Sequence, residues 1–243
     1  MIYSTKGIVL RTVKYGETSV IAGIFTEMFG IQSYIVNGVR ANGKTSKAHF
    51  FQPSSILDMQ VYHSELKNLQ RIKDVSWSYL YRNILSDVTK NAVGIYMVEL
   101  LQKCLKQPEQ HSDLFHFCED AFLKLDVCNT EITANFPLYF SLQLAQFFGF
   151  RLHNNYSNEK NLFNCREGNF ANKILANDYF IEADISYYIS QLLRALQPED
   201  LLEIKLNKNI RRTILAALEN YYAFHISEFG VMKTLPVLHE LLG

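Results

Sequence analysis

The stretch Gly38-Val39-Arg40-Ala41-Asn42-Gly43-Lys44-Thr45 fits the G-x-x-x-x-G-K-[ST] spacing of a phosphate-binding loop. Such a loop works because successive backbone N–H groups wrap a phosphate and the N-terminus of a following helix adds positive potential. The context is poor. Ser46-Lys47-Ala48-His49-Phe50-Phe51-Gln52-Pro53 shows no amphipathic period of useful length. Ser54-Ser55-Ile56-Leu57-Asp58 places only two apolar residues before the acid that a magnesium site would want, and no βαβ alternation follows. Other chemistry is sparser still. His111 and His116 are five apart, off the i, i+4 face of a zinc-binding helix, and no serine stands in a G-x-S-x-G elbow. Cys104, Cys118, Cys128 and Cys165 form no C-x-x-C pair and read as buried thiols. The chain reads as a non-enzyme without cofactor or metal, with a phosphate-loop NTPase over Gly38–Thr45 as one alternative.

The residues that stand out are cations. Lys6, Arg11, Lys14, Arg40, Lys44 and Lys47 are opposed before residue 50 by Glu17 and Glu27 alone. A total charge of zero hides an asymmetry. Residues 1–83 carry ten Lys/Arg against five Asp/Glu, net +5, and residues 84–243 carry net −5. A basic front half points to a polyanion partner. Aromatic residues are interleaved with the cations, and single strands are held by a cationic groove plus stacking platforms. Tyr15, beside Gly16 in a turn, is the best stacking candidate, whereas Phe25 lies in an apolar strand and belongs to a core. A second basic cluster is Lys205, Lys208, Arg211 and Arg212. Cations at a helix start oppose the macrodipole, so local helix stability does not account for them.

The front half must position its cations on strands. Gly7–Val13, Ser19–Thr26, Ile31–Val36, Ile56–Tyr62 and Leu69–Val75 are β-rich runs separated by turn signals such as Tyr15-Gly16-Glu17 and Asn37-Gly38. Five short antiparallel strands with one long basic loop fit a small closed barrel. The hydrophobic period changes near residue 80. Helices are expected through Val93–Leu105, from Ser112 to Leu125, over Phe136–Phe148, Ile185–Leu196 and Ile210–Ile226. Residues 151–182 are broken and polar, with extended pieces at Leu162–Cys165 and Tyr179–Ile181. The expected fold is α+β: a barrel domain over 1–80 and a helical domain over 81–243 with an irregular insertion. The chain shows no membrane span or signal layout and reads as cytoplasmic.

Gly7-Ile8-Val9-Leu10, Tyr15-Gly16-Glu17, Phe25-Thr26, Gly30, Asn37-Gly38-Val39-Arg40 and Gln52-Pro53, in that order, resemble the N-terminal OB-fold of the RecO family. Tyr96, Glu99-Leu100-Leu101, Asp113-Leu114-Phe115, Gln143-Leu144-Ala145, Gly149-Phe150 and Leu235-Pro236-Val237-Leu238 extend the resemblance through the second half. It implies a recombination mediator in DNA repair that binds single- and double-stranded DNA, anneals complementary strands and helps load RecA. It also implies RecR and the C-terminal tail of single-stranded-DNA-binding protein as partners, with no ATP used. The expected DNA contacts are Arg11, Lys14, Tyr15, Arg40, Lys44, Lys47, Lys208, Arg211 and Arg212. Many family members hold zinc with four cysteines in the segment matching 151–182. Cys165 stands alone there, so no zinc is expected. A protein-interaction scaffold without DNA binding is the remaining alternative.

Overall fold

The computed structural model describes residues 1–39, 47–173 and 179–242. They form two compact units, Met1–Arg82 with Leu105–Leu123, and Asn83–Cys104 with Lys124 onward. The α+β reading holds: a closed five-stranded barrel comes first and helices follow.

The barrel is built from β1 (Ile2–Tyr15), β2 (Ser19–Thr26), β3 (Gly30–Val36), β4 (Ile56–Tyr62) and β5 (Leu69–Tyr79), in the order β1-β2-β3-β5-β4. One expectation needs correction. The strands are not all antiparallel, because β3 and β5 pair in parallel, with Ser33, Tyr34 and Ile35 opposite Leu69, Gln70 and Arg71. β4 does not pair with β3. β4 then pairs with β1, and β5 enters the gap running in the same direction as β3. Alternate residues point inward. Val9, Val20, Ala22, Ile24, Tyr34, Val36, Leu57, Met59 and Val61 fill the barrel. A bulge in β1 between Val9 and Arg11 resets the alternation, so that Arg11 faces out beside Gly23.

Leu105–Leu123 belongs to the same unit and holds most of α2 (Ser112–Val127). Phe115 packs on Phe25, ring centroids 5.6 Å apart. Glu119 Oε1 accepts a 2.8 Å hydrogen bond from Lys6 Nζ, and His116 Nε2 lies 3.4 Å from Glu27 Oε1. Gly30 has φ +62 and meets the Glu109 carbonyl so closely that no Cβ fits.

The second unit is organised around α1 (Val88–Cys104), α3 (Thr130–Leu144), α4 (Ala183–Leu192), α5 (Lys208–His225) and α6 (Leu235–Leu241). α3 starts six residues before the expected position, because Asn129 caps it, its Oδ1 accepting from Ile132 N, and Pro137 is accommodated inside. α4 ends at Leu192, not Leu196, and Pro198 opens a 3₁₀ turn, Pro198–Glu203. The insertion forms a small sheet of β6 (Leu162–Asn164), β7 (Asn169–Ala171) and β8 (Phe180–Ile181), ordered β7-β6-β8. β7 was not anticipated: Asn169–Ala171 is the return arm of the Arg166–Asn169 turn. Asp126 is fully buried. Its Oδ1 accepts from Asn83 N and Ile84 N, and its carbonyl from Lys90 Nζ.

Candidate nucleic-acid interface

β1, β2, β3 and β5 carry the chemistry of the front unit, and their register places it. One outward row runs Arg11–Gly23–Ser33–Leu69, and the next runs Val13–Ile21–Ile35–Arg71. Between them lies the inward row Thr12–Ala22–Tyr34–Gln70. Arg11 lies flat on this face, since a Cβ on Gly23 would sit 2.9 Å from Arg11 Cγ. Lys14 and Tyr15 end β1, where the strand outruns the core, and both are exposed. The β1–β2 turn beside them contains Glu17.

The chain returns to this end of the barrel after β3. Ser19 Oγ donates to Asn37 Oδ1 at 3.1 Å, and Thr12 Oγ1 to the Phe51 carbonyl at 2.7 Å. The second bond ties the 3₁₀ turn Ala48–Phe51 to β1, bringing Lys47 to the end that carries Lys14 and Tyr15. The turn also supplies aromatic rings. His49 and Phe50 are 4.3 Å apart, and Phe50 lies 5.1 Å from Trp77 near the end of β5. Phe50 and Trp77 are half-buried against the barrel core, and sequence reasoning did not anticipate that His49 and Trp77 meet at this end. The only available signal was a lone tryptophan at the end of a strand, and the approach of β5 to the 48–51 turn is not written locally.

The expected contacts therefore divide. Arg11, Lys14, Tyr15 and Lys47 converge on one end, and the three cations have no ion-pair partner among the described residues. Arg40 and Lys44, with Ala41–Thr45 of the phosphate-loop match, lie outside the described residues. The first helical element after that match is the four-residue 3₁₀ turn at Ala48, which offers no helix N-terminus of the kind a phosphate loop opens into.

Arg211 and Arg212 belong to the other unit and are used internally. Arg211 donates to Asn135 Oδ1 at 3.1 Å, the Leu242 carbonyl at 2.6 Å and the Leu206 carbonyl at 3.2 Å. Burial lowers its pKa from the ordinary value. Arg212 donates to the His239 carbonyl, with Glu240 at 4.0 Å. Both arginines thus meet carbonyls at the C-terminal end of α6, where the helix dipole favours cations. This accounts for two charges that α5 itself disfavours. Lys205 pairs with Glu131 at 3.5 Å, and Lys208 is half-buried at the start of α5.

One groove of the barrel is acidic. A groove over the start of β1 and the middles of β4 and β5 is lined by Glu27, Asp58 and Asp74. Lys6 is its cation, already engaged by Glu119, whose hydrogen bond raises the lysine pKa. Cations without ion pairs among the described residues thus stand at the β1–β2 hairpin end, and carboxylates line the groove over β1, β4 and β5.

Zinc does not fit the insertion. Cys165 is completely buried, its thiol pushed up to about 12, and no cluster of three or more His, Cys, Asp or Glu among the described residues could hold a metal. Phe163 packs on Phe170, Asn155 bonds the backbone of Phe170, and Asn164 Oδ1 accepts from Arg166 N and Glu167 N. These contacts hold the sheet.

Residues 1–81 match the family model Recombination protein O N terminal, and residues 85–166 match Recombination protein O C terminal. A DNA repair protein RecO of Flavobacterium psychrophilum is 31% identical, with 98% of both chains covered. Another, of Christiangramia forsetii, is 30% identical across the full length of both. This chain belongs to the RecO family. A third RecO relative, from Azobacteroides pseudotrichonymphae, is 28% identical over 99% of each chain. Membership gives the chain a role in DNA repair. Among the described residues no helix is long and apolar enough to cross a membrane.

Proposed function

We propose that this RecO chain is a non-enzymatic, cytoplasmic recombination mediator that grips single- and double-stranded DNA by its barrel. In this reading it anneals complementary strands and, with RecR, helps load RecA. The C-terminal tail of single-stranded-DNA-binding protein is a further partner, taken by the helical domain over 81–243. The observation that carries the proposal is the gathering of Arg11, Lys14 and Lys47, none ion-paired among the described residues, with Tyr15 and the His49–Phe50–Trp77 rings at one barrel end. Arg40 and Lys44 join this set on sequence grounds. Arg211 and Arg212 do not, because their guanidinium groups are already committed to carbonyls.

Phosphate contacts of this kind bind any sequence and weaken with salt. Annealing then follows from charge cancellation: cations that neutralise one strand let a second polyanion approach, and no bond need be made or broken. The test is binding of a labelled single strand at two salt concentrations, together with annealing of complementary strands followed by energy transfer between dyes. Salt-sensitive binding and accelerated annealing without nucleotide are expected. No binding at low salt defeats the proposal, and ATP hydrolysis abolished by Lys44→Ala would favour the phosphate loop instead.

A further inference from the structure

Asn37-Gly38 and Asn42-Gly43 are the two asparagine–glycine pairs in the sequence, and the first lies among the described residues. It directly follows β3. In the barrel ladder Lys14 stands opposite Val20, and Val20 opposite Val36. The next row is Tyr15 opposite Ser19, with Asn37 beyond it, because Ser19 Oγ donates to Asn37 Oδ1 at 3.1 Å. Two strand spacings, about 10 Å, thus separate Asn37 from the end of β1 that carries Lys14 and Tyr15.

The fold leaves this pair open. Asn37 and Gly38 are both exposed. Gly38 has φ +69, and a Cβ built on it would meet nothing within 4 Å. Its amide N–H makes no hydrogen bond to a described residue. Asparagines elsewhere are held differently. Asn129 and Asn207 cap helices, Asn155 and Asn164 hold the insertion, and each is followed by a residue with a side chain. Glycine after asparagine matters because no Cβ hinders the backbone nitrogen from turning toward the side-chain carbonyl. The Ser19 hydroxyl, donating to the oxygen of that carbonyl, draws electrons from Cγ and stabilises the oxyanion that an attack there creates.

We infer that Asn37 is a self-modification site, at which intramolecular loss of ammonia turns the amide into a carboxylate and weakens the barrel's hold on DNA. The Gly38 nitrogen passes its proton to a solvent base, and its electron pair forms a bond to Asn37 Cγ. The Cγ–Nδ2 bond breaks, and Nδ2 takes a proton from solvent and leaves as ammonia. Water then opens the cyclic imide. Addition at Cγ breaks the new bond and yields aspartate. Addition at the backbone carbonyl carbon breaks the original peptide bond and yields isoaspartate, whose main chain is one carbon longer. In both cases the Gly38 nitrogen regains a proton, nothing is oxidised or reduced, and one negative charge is gained. That charge opposes the pull of Lys14 and its neighbours on phosphate. The effect on affinity rests on the DNA-binding reading above, whereas the chemistry at Asn37 does not.

The test ages the full chain in warm, mildly alkaline buffer, folded and in urea, and follows it by peptide mass. Trypsin cuts after Lys14, Arg40 and Lys44, so Asn37 falls in the peptide 15–40 and Asn42 in 41–44. In the folded chain the 15–40 peptide should gain about one mass unit and split into two chromatographic forms, aspartate and isoaspartate. Asn37→Gln, whose longer side chain would have to close a larger ring, should keep its mass. Asn37→Asp carries the charge of the product without the longer main chain. It should weaken binding of a labelled single strand roughly twofold for each phosphate within about 10 Å at low salt, and the loss should fade as salt passes about 150 mM. A 15–40 peptide that converts in urea and stays unchanged in the folded chain overturns the inference, since the fold then shields the pair. Conversion combined with wild-type affinity in Asn37→Asp overturns the link to DNA. If the wild type binds no strand at any salt, the DNA-binding reading falls, and the peptide masses still decide the modification.

Discussion

Removing Arg11, Lys14 and Lys47 together tests the proposed interface most directly. All three are exposed and none has an ion-pair partner among the described residues, so each is free to meet a phosphate. Each single-strand phosphate neutralised contributes about 0.7 to the slope of log K against log salt. Three lost contacts should therefore flatten the slope by about 2. Over a change from about 50 to 200 mM salt the wild type should lose about 18-fold more affinity than the triple alanine variant. Lys6→Ala supplies the control. Its ammonium sits 2.8 Å from Glu119 Oε1 and faces Asp58 and Glu27, so it has no charge to spare for DNA. Its removal should leave the slope as it is. The assay is fluorescence anisotropy of a labelled single strand at four or more salt concentrations, with circular dichroism confirming the fold. An unchanged slope in the triple variant would refute the reasoning, and so would a Lys6→Ala slope that falls as far.

Asp126→Ala strands two backbone donors, the part-buried Asn83 N and the buried Ile84 N, and should cost about 3 kcal/mol, a fall in Tm on the order of 6–12 °C, while Asp126→Asn keeps an acceptor and loses less. Urea and thermal melts within about 1 kcal/mol of wild type would show that the carboxylate is not holding that turn. Gly30→Ala should destabilise by roughly 2 kcal/mol or more, since it combines a φ of +62 with a Cβ 2.0 Å from the Glu109 carbonyl. Gly16→Ala, with the same φ and open space, should lose about 1 kcal/mol, and equal losses at the two sites would remove the Glu109 contact as the cause. Cys165, its thiol pushed by burial to about 12 against an ordinary value of 9.0, should resist a thiol reagent at pH 8 until the chain unfolds. Because the unfolded thiol ionises first, stability should also fall as pH rises above about 9. Rapid native labelling of Cys165 would contradict its burial.

The barrel was legible because each strand carries its own alternation and the turns between them are marked by glycine. What the sequence hid was pairing. Nothing local in Leu69–Tyr79 says that it lies parallel to β3, since that follows from which strands meet when the barrel closes. The first five residues of β1 were also missed, because Ser4 and Lys6 break the apolar run that a strand is read from. α6 is short and starts with Leu235-Pro236, so its periodicity is too brief to register. Its partners are the arginines that sequence reasoning assigned to DNA. A basic cluster reads the same whether it faces a phosphate or a helix C-terminus, and only the placement of Leu242 and His239 tells them apart.

That ambiguity bears on how a chain of zero net charge could bind a polyanion at all. The net figure averages over surfaces that a ligand never samples together. In the front unit Glu27, Asp58, Asp74 and Glu119 lie on the β1–β4–β5 side or on α2, where Lys6 and His116 answer them. Arg11, Lys14 and Lys47 stand at the other end, with Glu17 as the acid in the adjoining turn. At physiological ionic strength exposed charges farther apart than about 8 Å hardly feel each other. A phosphate approaching Arg11 therefore meets the local excess of positive charge and not the chain total. On the proposed reading the same placement would give direction, since a strand repelled by the Asp58–Asp74 groove would be drawn to the Arg11 side.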